Sequence, residues 1–440
     1  MNDYLKTRRE FLRTSVLGGA VTWTVPAFLS QTFNALHADA ANTFQPTTGK
    51  DGTILVVLQL AGGNDGLNTV VPVTNDHYHK ARPALGLKSN LHKLNDDFAL
   101  HPSLTAFKEL YDAGQLSIVH GVGYPNPNRS HFRSTEIWHT ASDANKFEKY
   151  GWLGRYFDNA CKGSDPTIGL SVGKQTPQAF TGPRPLGISL QNPDTYKLAG
   201  NDTPEMDETA GSQDFMSRLN GAEGLGGDAN SGVTIDSVSG PIKTQLSPLD
   251  YLERTALDAQ ISSEKILQVS RQAKNQVSYP ASQIANSFKL VARLIAGGLP
   301  TRVYYLSQGG YDTHTNQAGA HERLLREFST AVKAFTDDLK AQGNANRVLL
   351  VTFSEFGRRV AQNANGGTDH GAAAPLFLVG PKLKAGLLGQ FPSLAPKDLH
   401  NGDPKYTVDF RSIYAGVLQS WLKTNPVPIL GRKFEAFQYV

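Results

Sequence analysis

One cysteine, Cys161, stands alone in a chain of 440 residues. No intrachain disulfide can form, and zinc sites built on several thiolates and covalent haem attachment are excluded with it. The chain also lacks a dominant charge: 43 Lys and Arg face 39 Asp and Glu, a formal net of +4. That balance gives neither a nucleic-acid nor a membrane-surface preference. Familiar catalytic fingerprints are missing. No strand-like run is followed by Gly-x-Gly-x-x-Gly or by a P-loop, and no Gly-x-Ser-x-Gly elbow presents a nucleophilic serine. Apolar runs able to span a bilayer are missing too. The one candidate, Leu12 to Leu29, is diluted by Arg13, Thr14, Thr22 and Pro26.

What is present begins with that stretch. Thr7-Arg8-Arg9-Glu10-Phe11-Leu12 reads as a twin-arginine export motif, and Ala38-Asp39-Ala40 offers a small-residue cleavage site. Residues 1–40 are therefore expected to be a signal peptide, and the mature chain to start near Ala41. The expected destination is periplasmic or secreted, with the twin-arginine machinery as a partner and no membrane anchor after cleavage. The route carries folded cargo, which favours a site assembled before export. Residues 41–440 suffice for a single large α/β domain, interrupted by a Gly-, Asp- and Ser-rich excursion near 199–245.

Five apolar runs read as buried strands: 53–60, 116–119, 302–306, 348–351 and 375–379. Helical periodicity predicts helices from Pro102, around Ile137, over 151–157, 248–277, 281–297 and 317–341, and from Asp409 to Leu422. Continuous apolar strands bounded by polar residues are the pattern of a parallel α/β sheet. Ligands in such sheets bind beyond the carboxyl ends of the strands. Four polar clusters lie there: Asn64/Asp65, Ser130/His131, Asp312/His314, and Glu355 with Asp369/His370.

Each cluster has a plainer reading. Asn64-Asp65-Gly66 also suits an Asx turn. Ser130 sits before a helix, where it can be a nucleophile, a metal ligand or simply an N-cap. Asp312 and His314 are two apart in an extended segment, so both project to one side and suit a divalent metal; a Gly-Gly turn with a structural histidine is the alternative. His77, His79, His92, His139 and His400 read as solvated side chains.

The motifs GGNDGLN, NRSHFRS, GGYDTH, FSEFGRR and TDHGAAAPLFLVGP, in this order after the twin-arginine motif, resemble the bacterial domain-of-unknown-function family numbered 1501. That family is grouped with the alkaline phosphatase/sulfatase superfamily. The resemblance implies a large, mostly parallel sheet sandwiched by helices, with one or two divalent ions (zinc, manganese, calcium or magnesium) at its edge. It also implies hydrolysis of a small anionic phosphate or sulfate ester. Carried over, Asp65, Asp312, His314 and His370 resemble metal ligands, and Ser130 lies in the region of the nucleophile. Glu355 stands where an Asp is usual, as a second-ion ligand or base, and Arg358 or Arg129 is placed to hold the anion. Phe356 stands where the superfamily has a histidine, so a ligand is missing there unless His131 supplies it from elsewhere. A non-catalytic exported protein of the same fold, binding or helping to assemble cell-surface polysaccharide, is the alternative.

Overall fold

A computed structural model describes residues 52–161, 166–184, 186–191 and 265–440. All of them belong to one compact unit, 46–197 together with 250–440. The twin-arginine segment and the 199–245 excursion lie outside the described residues, as does most of the helix expected over 248–277; its end, 265–272, is helical.

The strands among the described residues begin with β1 Ile54–Leu60, β2 Val70–Pro72, β3 His92–Lys93, β4 Phe98–Leu100, β5 Leu116–Gly123, β6 Gly169–Val172 and β7 Ile188–Leu190. They continue with β8 Val303–Gln308, β9 Val348–Phe353, β10 Arg358–Gln362, β11 Thr368–His370, β12 Ala374–Val379, β13 Gly386–Leu388 and β14 Val408–Asp409. One large sheet runs in the order β13-β5-β12-β9-β1-β8-β6-β7, with β14 also paired to β5. Strands β7, β6, β8, β1 and β9 are mutually parallel, and β5, β13 and β14 point the same way. Only β12 is reversed, antiparallel to both β9 and β5.

Strand β1 shows why the sheet is central. Its sequence, ILVVLQL, is buried at every position, as a strand covered on both faces requires. Side chains alternate between two cores. Ile54, Val56, Leu58 and Leu60 pack with Phe107, Phe288 and Phe328, from the helices at 105–112, 283–296 and 317–341. Leu55 and Val57 pack with Trp138, Trp152 and Ile413, from the helices at 131–140, 152–160 and 410–416. Each such fully buried side chain contributes roughly 1.5–3 kcal/mol relative to exposure. The product is a helix–sheet–helix sandwich.

The reversal of β12 follows from its connection. A parallel neighbour needs a crossover, usually a helix. The chain instead leaves β9 into the β10–β11 antiparallel pair and returns directly. The amino end of β12 therefore lies on the edge where the parallel strands finish. Among the described residues no helix is long and apolar enough to cross a membrane.

Candidate metal centre

Asp312 is the hub. Strand β8 exits through Gly309 and Gly310, and Tyr311 turns inward, fully buried, its hydroxyl donating to Gln308 Oε1 at 3.0 Å. The loop after β1 lies hard against this one. Gly62 adopts φ +120°, and a Cβ there would sit 2.4 Å from the Asp312 nitrogen. Glycine is required on both counts. The Asp312 carboxylate, 46% exposed, accepts from Arg358 Nη2 at 2.8 Å. It stands 3.0 Å from His370 Nε2, 3.1 Å from His314 Nε2 and 3.4 Å from His131 Nε2. Burial opposes its ionisation, but the Arg358 hydrogen bond, the His370 contact and the Arg358 charge together bring its pKa down to about 2.

The three imidazoles are oriented by what their other nitrogen meets. His131 Nδ1 lies 2.8 Å from Glu355 Oε1, and His370 Nδ1 lies 2.8 Å from the Arg129 carbonyl. Both partners are acceptors, so each Nδ1 carries a hydrogen and it is Nε2 that each ring turns toward Asp312. His314 Nδ1 faces Asp369 Oδ1 more loosely, at 3.4 Å. Its Nε2 stands 2.9 Å from that of His370. Two lone pairs facing at that distance repel unless a proton or cation lies with them.

A small divalent ion fits this donor set. Adjacent ligands of tetrahedral zinc, with bonds of ~2.0–2.1 Å, stand about 3.3 Å apart. The pairs among Asp312, His314 and His370 stand 2.9–3.1 Å apart, and the ligating atoms of His131, Asp312 and His370 all lie within 4.8 Å of one another. Imidazoles whose second nitrogen is held by a carboxylate or carbonyl are the usual form of metal-binding histidine. Phe356 supplies an apolar wall, its ring centroid 4.4 Å from that of His370 and 4.9 Å from that of His131.

The sequence-derived residues divide. Asp312, His314 and His370 come together, and His131 joins them from the start of the 131–140 helix. Asp65 does not. It is fully buried, paired with Arg82 Nη1 at 2.6 Å, and accepts from Gln317 Nε2 at 2.5 Å. Burial alone would raise its pKa; the Arg82 charge and hydrogen bond outweigh that and lower it. Asp65 thus ties the β1 loop to the 317–341 helix and, through Arg82, to the Val360 and Arg359 carbonyls. Asn64 is likewise buried, accepting from His321 Nε2 at 2.9 Å.

Arg358 is not free to hold an anion. It is fully buried and donates to the carbonyls of Gly62, Gly63, Tyr311 and Thr368 as well as to Asp312. Glu355 sits behind His131 rather than in the opening, accepting also from the Gly62 amide at 2.7 Å. Its Oε2 is buried without a partner. Ser130 occupies the N-cap position of its helix with no side-chain capping bond and is exposed. It lies between Arg129, which orients His370, and His131. Ser134 is structural, its hydroxyl bonded to Tyr124 Oη at 2.7 Å and to the Glu355 carbonyl. His139, read as solvated, is buried against Tyr305 Oη at 2.8 Å. Arg82 escaped the sequence reading because nothing local marks an arginine seventeen positions from its partner.

Comparison with known families is decisive at one level. A family model described as "Protein of unknown function (DUF1501)" matches residues 53–426. The chain belongs to that family. No curated protein sequence matches it. Among solved structures it is similar to a protein of the alkaline phosphatase superfamily from Vibrio parahaemolyticus (10% identity, 91% of this chain and 78% of that one, TM-score 0.36). It is similar to a sulfatase from Pseudoalteromonas sp. (10% identity, 94% and 72%, TM-score 0.33). A third is a lipoteichoic acid synthase from Listeria monocytogenes (8% identity, 81% and 74%, TM-score 0.32).

Proposed function

We propose that the chain is an exported, metal-dependent hydrolase of phosphate or sulfate esters, with one divalent ion held by His131, Asp312, His314 and His370. The observation that carries the metal assignment is the convergence of three Nε2 atoms on one carboxylate, with the Nδ1 of each ring turned to an acceptor. The ester class rests on the resemblance of the motif order to the alkaline phosphatase/sulfatase superfamily, and export on the twin-arginine motif.

When bound, the ion supplies Lewis acidity at the ester oxygens. The chain's own residues do the rest. Glu355 and the Arg129 carbonyl hold two rings in register, Arg358 fixes the carboxylate, and Phe356 keeps water from one side of the imidazoles. Ser130, exposed beside the cluster, is the candidate nucleophile. One observation favours the non-catalytic alternative: both Glu355 and Arg358 are withdrawn from the opening, so Ser130 has no base among the groups assigned to it.

Elemental analysis of the purified full chain, with Asp312→Ala and His370→Ala, tests the metal assignment. Wild type should carry about one equivalent of zinc, manganese, calcium or magnesium per chain, and each variant should lose it. A metal-free wild type after incubation with these ions would end the hydrolase reading. A metal-loaded wild type inert on a phosphate- and sulfate-ester panel would select the binding protein instead.

A further inference from the structure

The turn between β10 and β11 reads Asn363-Ala364-Asn365-Gly366-Gly367. Asparagine followed by glycine is ordinary turn chemistry, but here the pair is also left chemically open. Asn365 is exposed and Gly366 half-buried. Among the described residues the Asn365 carboxamide makes no hydrogen bond, and the Gly366 N–H donates none. The amides on either side are spent, since those of Asn365 and Gly367 both donate to Asn363 Oδ1 at 3.0 Å. Glycine brings no side chain to shield its nitrogen, and a Cβ on Gly366 would meet only the Asn316 nitrogen, at 4.0 Å.

The turn also supports the loop that runs from β8 to the 317–341 helix. The carbonyls of Asn365 and Gly366 accept from the Asn316 and Gln317 amides, at 3.1 and 2.9 Å. They complete the helix start, where Asn316 makes no side-chain capping bond. Asn363 Nδ2 donates to the His314 carbonyl at 2.9 Å. Gly367 lies hard against the same residue: a Cβ there would stand 2.2 Å from the His314 carbonyl carbon.

We propose that Asn365–Gly366 is a self-modification site, at which the folded chain converts Asn365 to aspartate and isoaspartate through a cyclic imide. The Gly366 nitrogen attacks Asn365 Cγ. The N–Cγ bond forms, the Cγ–Nδ2 bond breaks, and the amide proton leaves with Nδ2 as ammonia. Water then opens the imide. Cleavage between the Gly366 nitrogen and Cγ gives aspartate in the native backbone. Cleavage between that nitrogen and the Asn365 carbonyl carbon gives isoaspartate, whose main chain runs through Cβ and Cγ. The isoaspartyl turn is longer by one carbon. It displaces the Gly366 carbonyl and the Gly367 amide from partners at 2.9 and 3.0 Å. Hydrogen bonds weaken steeply when misaligned, so the loop carrying Asp312 and His314 loosens where it enters the helix.

The test ages the full chain, folded, in mildly alkaline buffer made with heavy-oxygen water. Digestion with trypsin follows in ordinary water, so that only conversion during ageing is labelled. Peptide 360–382 should gain the mass of an Asn-to-Asp conversion with the label and separate into two products, with fragmentation placing the gain at Asn365. Asn401–Gly402 falls in peptide 398–405 and is read separately. Asn365→Gln, which must close a larger ring, should convert at least tenfold more slowly. Deuterium exchange of the 311–317 amides should be faster in the aged wild type than in the fresh chain, and unchanged by the same ageing in Asn365→Gln. Absence of label at Asn365 would overturn the modification site. Label there with unchanged exchange would overturn the loosening of the loop.

Discussion

Glu355 illustrates how a residue acts on a site it does not enter. Its carboxylate takes the His131 Nδ1–H and the Gly62 amide, so it sets both the tautomer of a ring and the position of a loop. Removing such a partner typically costs 10–100-fold in metal affinity. Glu355→Gln, which keeps the shape and removes the charge, should therefore weaken the retained ion by roughly 10–100-fold in a chelator competition; unchanged affinity would show that the orientation of His131 does not matter. At this scale the sequence was legible where spacing alone fixes direction. Asp312 and His314, two apart after a strand, had to face one way. Arg358 was misread because an arginine in a rim motif suits an anion or a set of carbonyls equally well, and only burial separates the two. The Asp65–Arg82 pair was invisible for a related reason: the sequence shows a carboxylate at a strand end but not whether a cation from another element has covered it.

Between elements, the site depends on how closely two loops approach. Gly62 carries a positive φ and leaves no room for a Cβ against the Asp312 nitrogen. Gly62→Ala must therefore both strain its own backbone, at roughly 1–3 kcal/mol, and push the Asp312 loop outward. The expected result is a lower urea midpoint together with reduced metal content. Loss of stability with full metal content would mean that the loop contact does not position Asp312. The long elements themselves were readable. The 317–341 helix has the bounds that its apolar periodicity predicts, and the runs at 348–351 and 375–379 fall within β9 and β12. The direction of β12 was not readable, because an apolar run looks the same in either orientation. The short strands β6, β7, β13 and β14 were missed, since two to four residues give no period to detect.

The whole molecule buries imidazoles as well as displaying them. His120, on β5, is packed against Phe98 and Phe391 with ring centroids 4.7 and 5.3 Å away. Burial lowers its pKa to about 4, and does the same to His139. Each is lower in the folded chain than the ordinary 6.5, so between these values the unfolded chain binds the extra proton. Stability must then fall as pH drops from about 6.5 toward 4, by up to about 3 kcal/mol for each ring. Urea midpoints measured across that window, in chelator so that no ion contributes, should show the decline. His120→Leu removes a ring whose Nε2 has no partner and should flatten the slope; an unchanged slope would place the acid sensitivity elsewhere.

The single reversed strand also has a consequence for biosynthesis. Strand β5 leaves the ribosome early, yet among the described residues its hydrogen-bonded neighbours β12, β13 and β14 are all translated after residue 373. Until then the nascent polypeptide carries a strand that the finished fold buries at every position, with open edges, the kind of segment that recruits other chains. A product terminated before β12 should pellet on lysis, while the intact chain stays in the supernatant. The last imidazole of the cluster, His370, emerges just ahead of the strand that seals the sheet. A ribosome that stalls short of it yields a chain both unsealed and chemically blank.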